Sequence, residues 1–184
     1  PRAKFAPIAS KRLFAYTLKY MINTLDRKKS PDKKAENITE RDRLESRRWF
    51  EIFENPKADV HDILRADFRL EELLLFTESE AVRLESIERL LNHLEPLRKK
   101  ETLSRVEEFQ SIHGLMSLAE VLKLHTQTVD IESFALRIYG FTLSASTVVS
   151  SIAHQKFLEV LQVLPADKKR VVTSRVSDLL EATR

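Results

Sequence analysis

Two glycines in 184 residues, Gly114 and Gly140, set the first limit on this chain. Average proteins carry roughly 7% glycine. Tight β-turns and phosphate-cradling loops need residues that tolerate positive φ, and glycine is their usual supplier. A multi-hairpin β fold, a P-loop or a dinucleotide-binding turn is therefore not expected. Leu, Glu, Arg, Lys and Ala dominate instead, and these residues favour helix. With 42% hydrophobic residues the chain can form a real core, so an all-α protein is expected.

The absence of cysteine excludes a disulfide framework and any thiolate metal site, and it suits a reducing compartment. No apolar run approaches the roughly 18–20 residues needed to span a bilayer. Lys11, Arg12 and Lys19 interrupt the apolar pattern of the first 25 residues, so no signal-peptide core is expected there. An intracellular location, nuclear or cytoplasmic, follows as the expectation. Charge is uneven: residues 1–50 hold 14 Lys/Arg against 6 Asp/Glu, whereas the rest holds 17 against 22. The pattern is that of a basic arm on a mildly acidic body.

Apolar spacing of 3 to 4 predicts a first helix over residues 9–26, carried by Leu13, Phe14, Leu18, Met21, Ile22 and Leu25. Residues 27–38 read as a charged linker broken by Pro31. A second helix is expected from Thr39 to about Glu54, stopped by Asn55-Pro56, with Trp49 and Phe53 on one docking face. Residues 1–56 thus form a basic helical extension, and residues 57–184 a separate domain.

From Val60 onward a three-part unit recurs: a short helix, a tight corner, a second short helix, a polar break and a longer helix. The copies are Val60–Phe68, Leu70–Phe76 and Glu80–Leu97; Thr102–His113, Leu115–Leu124 and Val129–Leu143; and Ser146–Ala153, Gln155–Leu164 and Asp167–Ala182. Corners at Arg69, Gly114 and His154 give steps of 45 and 40 residues. Within Glu108–Leu122, Leu115, Leu118 and Leu122 follow Gly114, and Ile131, Phe134, Ala135 and Ile138 form a stripe on the longer helix. This stretch resembles the armadillo pattern, in which a helix closes on glycine before a leucine-spaced helix. Ile152, Phe157, Leu158 and Leu161 occupy similar places in the next unit. The resemblance to armadillo/HEAT repeats covers residues 60–184 and departs from the family at Arg69 and His154, where the corner glycine is missing.

That resemblance implies about three stacked units. It also implies a groove, lined by the third helices, that receives an extended peptide or a partner helix. Carried onto this sequence, the groove residues are Glu132, Arg137, Tyr139, Arg170 and Thr173, with Ser133, Ser174 and Ser177 beside them. Arg137, Tyr139 and Arg170 lead, because Arg and Tyr are enriched at binding hot spots. The expected role is a non-catalytic protein–protein interaction scaffold or adaptor subunit of an intracellular complex.

The polar residues form no catalytic pattern that the sequence can identify. The five histidines, His61, His93, His113, His125 and His154, include no pair at i, i+4 and no His-Glu-x-x-His run. His113, beside Gly114, reads as a helix-end cation. The glutamates interleave with arginines in the manner of a solvated face, and no Gly-x-Ser-x-Gly elbow surrounds the serines near 144–151. No catalytic residue, metal ligand or cofactor is assigned. The alternative function is nucleic-acid binding, by the basic arm through Lys28, Lys29, Lys33, Lys34, Arg43, Arg47 and Arg48. A superficial helix-turn-helix likeness over residues 130–157 offers a second nucleic-acid route, although its would-be recognition helix supplies only His154, Gln155 and Lys156.

Overall fold

The structure, a computed structural model, describes residues 32–182. Its elements are α1 (Asp32–Phe53), α2 (Val60–Phe76), α3 (Glu80–Arg98), α4 (Arg105–Leu124), α5 (Ile131–Gly140), a 3-10 turn at Phe141–Leu143, α6 (Thr147–Val163) and α7 (Ala166–Ala182). No strand occurs among the described residues, so this part of the protein is all-α. The helix expected at 9–26 lies outside them. The chain divides into two units, Pro1–Glu40 and Arg41–Arg184. Of the first, the described part, residues 32–40, is helical. The second holds the remaining helices.

Local chemistry explains where the helices start. Asp59, Ser79, Ser104 and Ser146 each accept a hydrogen bond from the backbone N–H three residues on, at Asp62, Val82, Glu107 and Val149. Ser104 and Glu107 complete a capping box, since the Glu107 carboxylate also accepts from the Ser104 N–H at 2.8 Å. Each such cap contributes about 1 kcal/mol. Asp130, ahead of α5, differs: it sits at φ 60°, in the left-handed region that Asp and Asn tolerate better than other side chains.

The C-terminal carbonyls of α2 are capped from outside. Buried Arg83 donates from Nε to Leu74 O at 3.1 Å and from a terminal nitrogen to Thr77 O, and it pairs with Glu80. His125 Nε2 lies 3.1 Å from Leu75 O, which it reaches as the Nε2–H tautomer. One turn of helix therefore ends against two side chains from other helix ends, which ties α2, α3 and α4 together.

Packing proceeds in two rows. In the first, α2 lies along α4 and α4 along α6. In the second, α5 lies along α7, while α1 joins α3 through Ser46–Ser86 hydroxyls at 2.8 Å and through ion pairs Arg43–Glu85 and Arg89–Glu54. Contacts of α3 with α4 and of α5 with α6 bind the rows to each other. One continuous cluster runs between them, from Phe50 and Phe53 through Ile63, Leu70, Leu91, Leu118 and Ile138 to Phe157 and Val172. Burying each such side chain contributes roughly 1.5–3 kcal/mol.

Three expectations need correction. The corners at Arg69, Gly114 and His154 do not exist, because each of these residues lies inside an uninterrupted helix. Arg69 is flanked by strong helix formers, and Gly114 has no positive φ. Each expected triplet is therefore a pair of helices. His113, in consequence, is no helix-end cation; it lies mid-helix in α4. The linker at 27–38 gives way to helix at Asp32, since proline is tolerated just ahead of a first turn and Lys33, Lys34, Ala35 and Glu36 all sustain one.

Candidate functional site

The groove residues inferred from the repeat resemblance fall on α5 and α7, both in the second row. Arg137 projects from α5 onto α3 and uses all its nitrogens there. Nε donates to Glu95 at 2.7 Å, one terminal nitrogen to Glu88 at 2.6 Å and the other to Asn92 at 2.9 Å. The three acceptors recur at intervals of four and three along one stripe of α3, which matches a planar guanidinium fork. Only 19% of the Arg137 side chain is exposed. Its geometry is that of a clamp between α3 and α5.

Tyr139 follows Arg137 by two positions and so points to a different face of α5. Its ring packs on Phe157 of α6 with centroids 5.1 Å apart, partly buried against the core. Glu132 is half-buried in the first turn of α5, beside exposed Ser133. Arg170 and Thr173 are exposed and, three apart on α7, are surface neighbours. The Thr173 hydroxyl donates to Lys169 O at 2.9 Å, and Ser177 donates to Thr173 O at 3.1 Å. The structure thus brings Arg170 and Thr173 together on one helix and separates Arg137 from Tyr139.

The basic set divides as well. Lys28 and Lys29 lie outside the described residues, as do the side chains of Lys33 and Lys34. Arg43 makes a two-pronged contact with Glu85, both distances 3.1 Å. Arg47 and Arg48 are exposed, with the Arg48 guanidinium 5.3 Å from the Trp49 ring centre. In the helix-turn-helix-like stretch, Lys156 pairs with Glu159 at 2.8 Å and Glu120 at 3.8 Å, while His154 and Gln155 are exposed.

Between first-row helices run polar seams whose pairings the sequence did not disclose. Across α2 and α4, buried Asp67 accepts from the Ser117 hydroxyl at 2.9 Å and lies 3.4 Å from His113 Nδ1; the Phe109 ring covers His113 at 4.2 Å. Across α4 and α6, Lys123 donates to Glu120 at 2.7 Å and to Glu159 at 3.1 Å. Burial alone would lower the Lys123 pKa, but these carboxylates outweigh it and hold the ammonium above its ordinary value. Burial would likewise raise Glu159, yet Lys156, Lys123 and Gln155 together hold it below the usual range. The charges are matched within the chain, and their chemistry is that of fastening helix to helix. The one sequence signal for the seams was the interleaving of glutamates with basic residues.

Two open recesses flank the loop after α5. One, of about 230 Å³, is lined by Arg98, Lys99 and Lys100 together with Glu101, Leu143 and Ala145. The other, about 420 Å³, is lined by Thr142, Ser144, Thr147, Ser150 and Ser151 with His154. Ser150 donates its proton to Thr142 O at 2.6 Å, a local brace rather than a contact with an activating base. Among the described residues, no helix is long and apolar enough to cross a membrane. No protein-family model matches the chain, and no curated protein or solved structure is significantly similar to it.

Proposed function

We propose that this chain is a helical-repeat scaffold of the armadillo/HEAT type, without a catalytic role, that holds another protein in a larger intracellular assembly, nuclear or cytoplasmic. The observation that carries the reading is the packing of helices against the next but one, α2 to α4 to α6 and α5 to α7. A stack of helix pairs produces that pattern, because each pair buries its apolar side on its neighbour. With two helices in each unit, the HEAT form is the nearer of the two families. The partner, an extended peptide or a helix, would lie on the second-row face, meeting Glu132 on α5 and Arg170 and Thr173 on α7. Arg137 shapes that face through its hold on α3, and Tyr139 supports it from the core side.

The test is affinity purification of the full chain against a variant carrying Arg170→Glu and Thr173→Arg. Both residues are exposed, so the variant should keep its helical circular dichroism. Loss of at least one stoichiometric partner is expected. An unchanged set of partners refutes the reading. Arg137→Glu is a poor probe of binding, because it would leave Glu88 and Glu95 facing a third carboxylate and disturb the fold itself.

A further inference from the structure

Resting on the scaffold reading, we infer that the outer face of α1 is a docking strip for an acidic amphipathic helix of a partner protein. Arg41, Leu44, Arg47, Arg48 and Glu51 recur at helical spacing and are all exposed, while Ser46, Phe50 and Phe53 on the opposite face are buried. From Arg41 to Glu51 the strip is about 15 Å long, three turns of helix. Leu44 stands at its centre with 54% of its surface open.

The charge of this strip is left over after the fold has closed. Arg43, just off the strip, is matched by Glu85, and Arg89 of α3 by Glu54, so the seam between α1 and α3 is neutral. Arg41, Arg47 and Arg48 have no carboxylate partner among the described residues. Arg48 is also steadied by its position over the Trp49 indole, which reduces the ordering needed when a carboxylate arrives.

The occupant follows from these features. A guanidinium prefers a planar carboxylate, and three of them around a leucine favour a partner with Glu or Asp around an apolar residue. The spacing of 3 to 4 from Arg41 to Leu44, from Leu44 to Arg47 and Arg48, and from these to Glu51 fits a second helix better than an extended strand. Glu51 at the far end calls for a basic residue in the partner and so sets its direction along α1. A nucleic-acid backbone fits less well: its phosphates would meet Glu51 and an apolar centre where a continuous cationic track is required.

The experiment uses the full chain and a labelled synthetic helical peptide of about five turns, with Glu flanking a leucine row and one terminal Lys. Fluorescence anisotropy at about 50 mM salt should show saturable binding that weakens as salt rises. Arg47→Glu combined with Arg48→Glu should weaken it about tenfold or more, and Leu44→Ser by several-fold, with circular dichroism unchanged. A peptide with Gln for Glu should not bind. Absence of binding by the unaltered chain overturns the inference. So does a charge-reversed variant that folds and binds as before, or tighter binding of an oligothymidine or a DNA duplex than of the peptide. Failures are separable: α7 variants that keep every partner sink the scaffold reading alone, and an inert α1 strip sinks this inference alone.

Discussion

Replacing Gly114 by alanine isolates the reason a glycine sits in the middle of α4. A Cβ added there would stand 2.8 Å from Leu94 Cδ1 and 3.3 Å from Leu90 Cδ1, both on α3. Leu94 is wholly buried and Leu90 nearly so, which leaves little room to yield. Two effects oppose each other. Alanine in a helix interior is favoured over glycine by about 1 kcal/mol, whereas overpacking a well-filled core costs about 1–3 kcal/mol. Gly114→Ala should therefore be neutral to destabilising by about 2 kcal/mol. In a Leu94→Ala background, itself costing about 2–5 kcal/mol, the 2.8 Å contact is gone, only Leu90 Cδ1 at 3.3 Å has to yield slightly, and most of the helix gain of about 1 kcal/mol remains. The same substitution should then stabilise. The coupling between the two sites is about 1–3 kcal/mol, readable in a double-mutant cycle from urea unfolding followed by circular dichroism. A shift of 1 kcal/mol moves the midpoint by about 0.3–1 M urea. If Gly114→Ala destabilises equally in both backgrounds, contact with Leu94 is not the reason for the glycine.

Arg137→Met keeps the aliphatic stem and removes the three donors held by Glu88, Asn92 and Glu95; because both carboxylates are partly exposed, a loss of only about 1–2 kcal/mol is expected in the same unfolding assay. Glu107, held by Lys100 and the Ser104 N–H, has a pKa lowered from 4.5 to about 2, so its contribution is whole above about 4.5 and is lost as pH falls toward 2. Glu107→Gln should lower stability at neutral pH and flatten that acid limb, and an unchanged limb would count against Glu107, with Lys100 and Ser104, as its source. His93 and His125 both lie below the ordinary value of 6.5, chiefly because burial disfavours the charged ring, with Arg83 adding to the effect at His125. As pH drops below 6.5 the unfolded chain takes up these protons first, so stability should begin to fall there; His93→Phe with His125→Gln should postpone that fall in a pH series of urea midpoints.

Helix periodicity was legible in the sequence to within a residue or two at some ends. The helix expected at Glu80–Leu97 is Glu80–Arg98, and that at Asp167–Ala182 is Ala166–Ala182. A glycine and two polar residues, Gly114, Arg69 and His154, resemble breaks in the sequence but do not interrupt a helix. The true starts carried a stronger local signal in Asp59, Ser79, Ser104-x-x-Glu107 and Ser146. Of the candidate site, exposure on α7 could be anticipated from its polar run. The commitment of Arg137 could not, since its acceptors lie 42 to 49 residues earlier and only packing brings them near. The same holds for Tyr139 on Phe157: a residue's place on its own helix is a local property, but its partner belongs to another helix.

The scarcity of glycine has a second meaning once the helices are placed. Neither glycine makes a turn. Gly114 admits the leucines of α3, and Gly140 admits Arg98, whose terminal nitrogen would lie 2.8 Å from an added Cβ and donates instead to Gly140 O at 3.1 Å. Both are therefore sites of close approach between α3 and the following helix pair. The chain turns by other means: side-chain caps, a left-handed Asp130 and Pro165 ahead of α7. Loops closed by caps rather than by glycine lose less conformational freedom on folding. A low cost of ordering is also what the docking strip proposed on α1 would require, if affinity is not to be lost in ordering the surface.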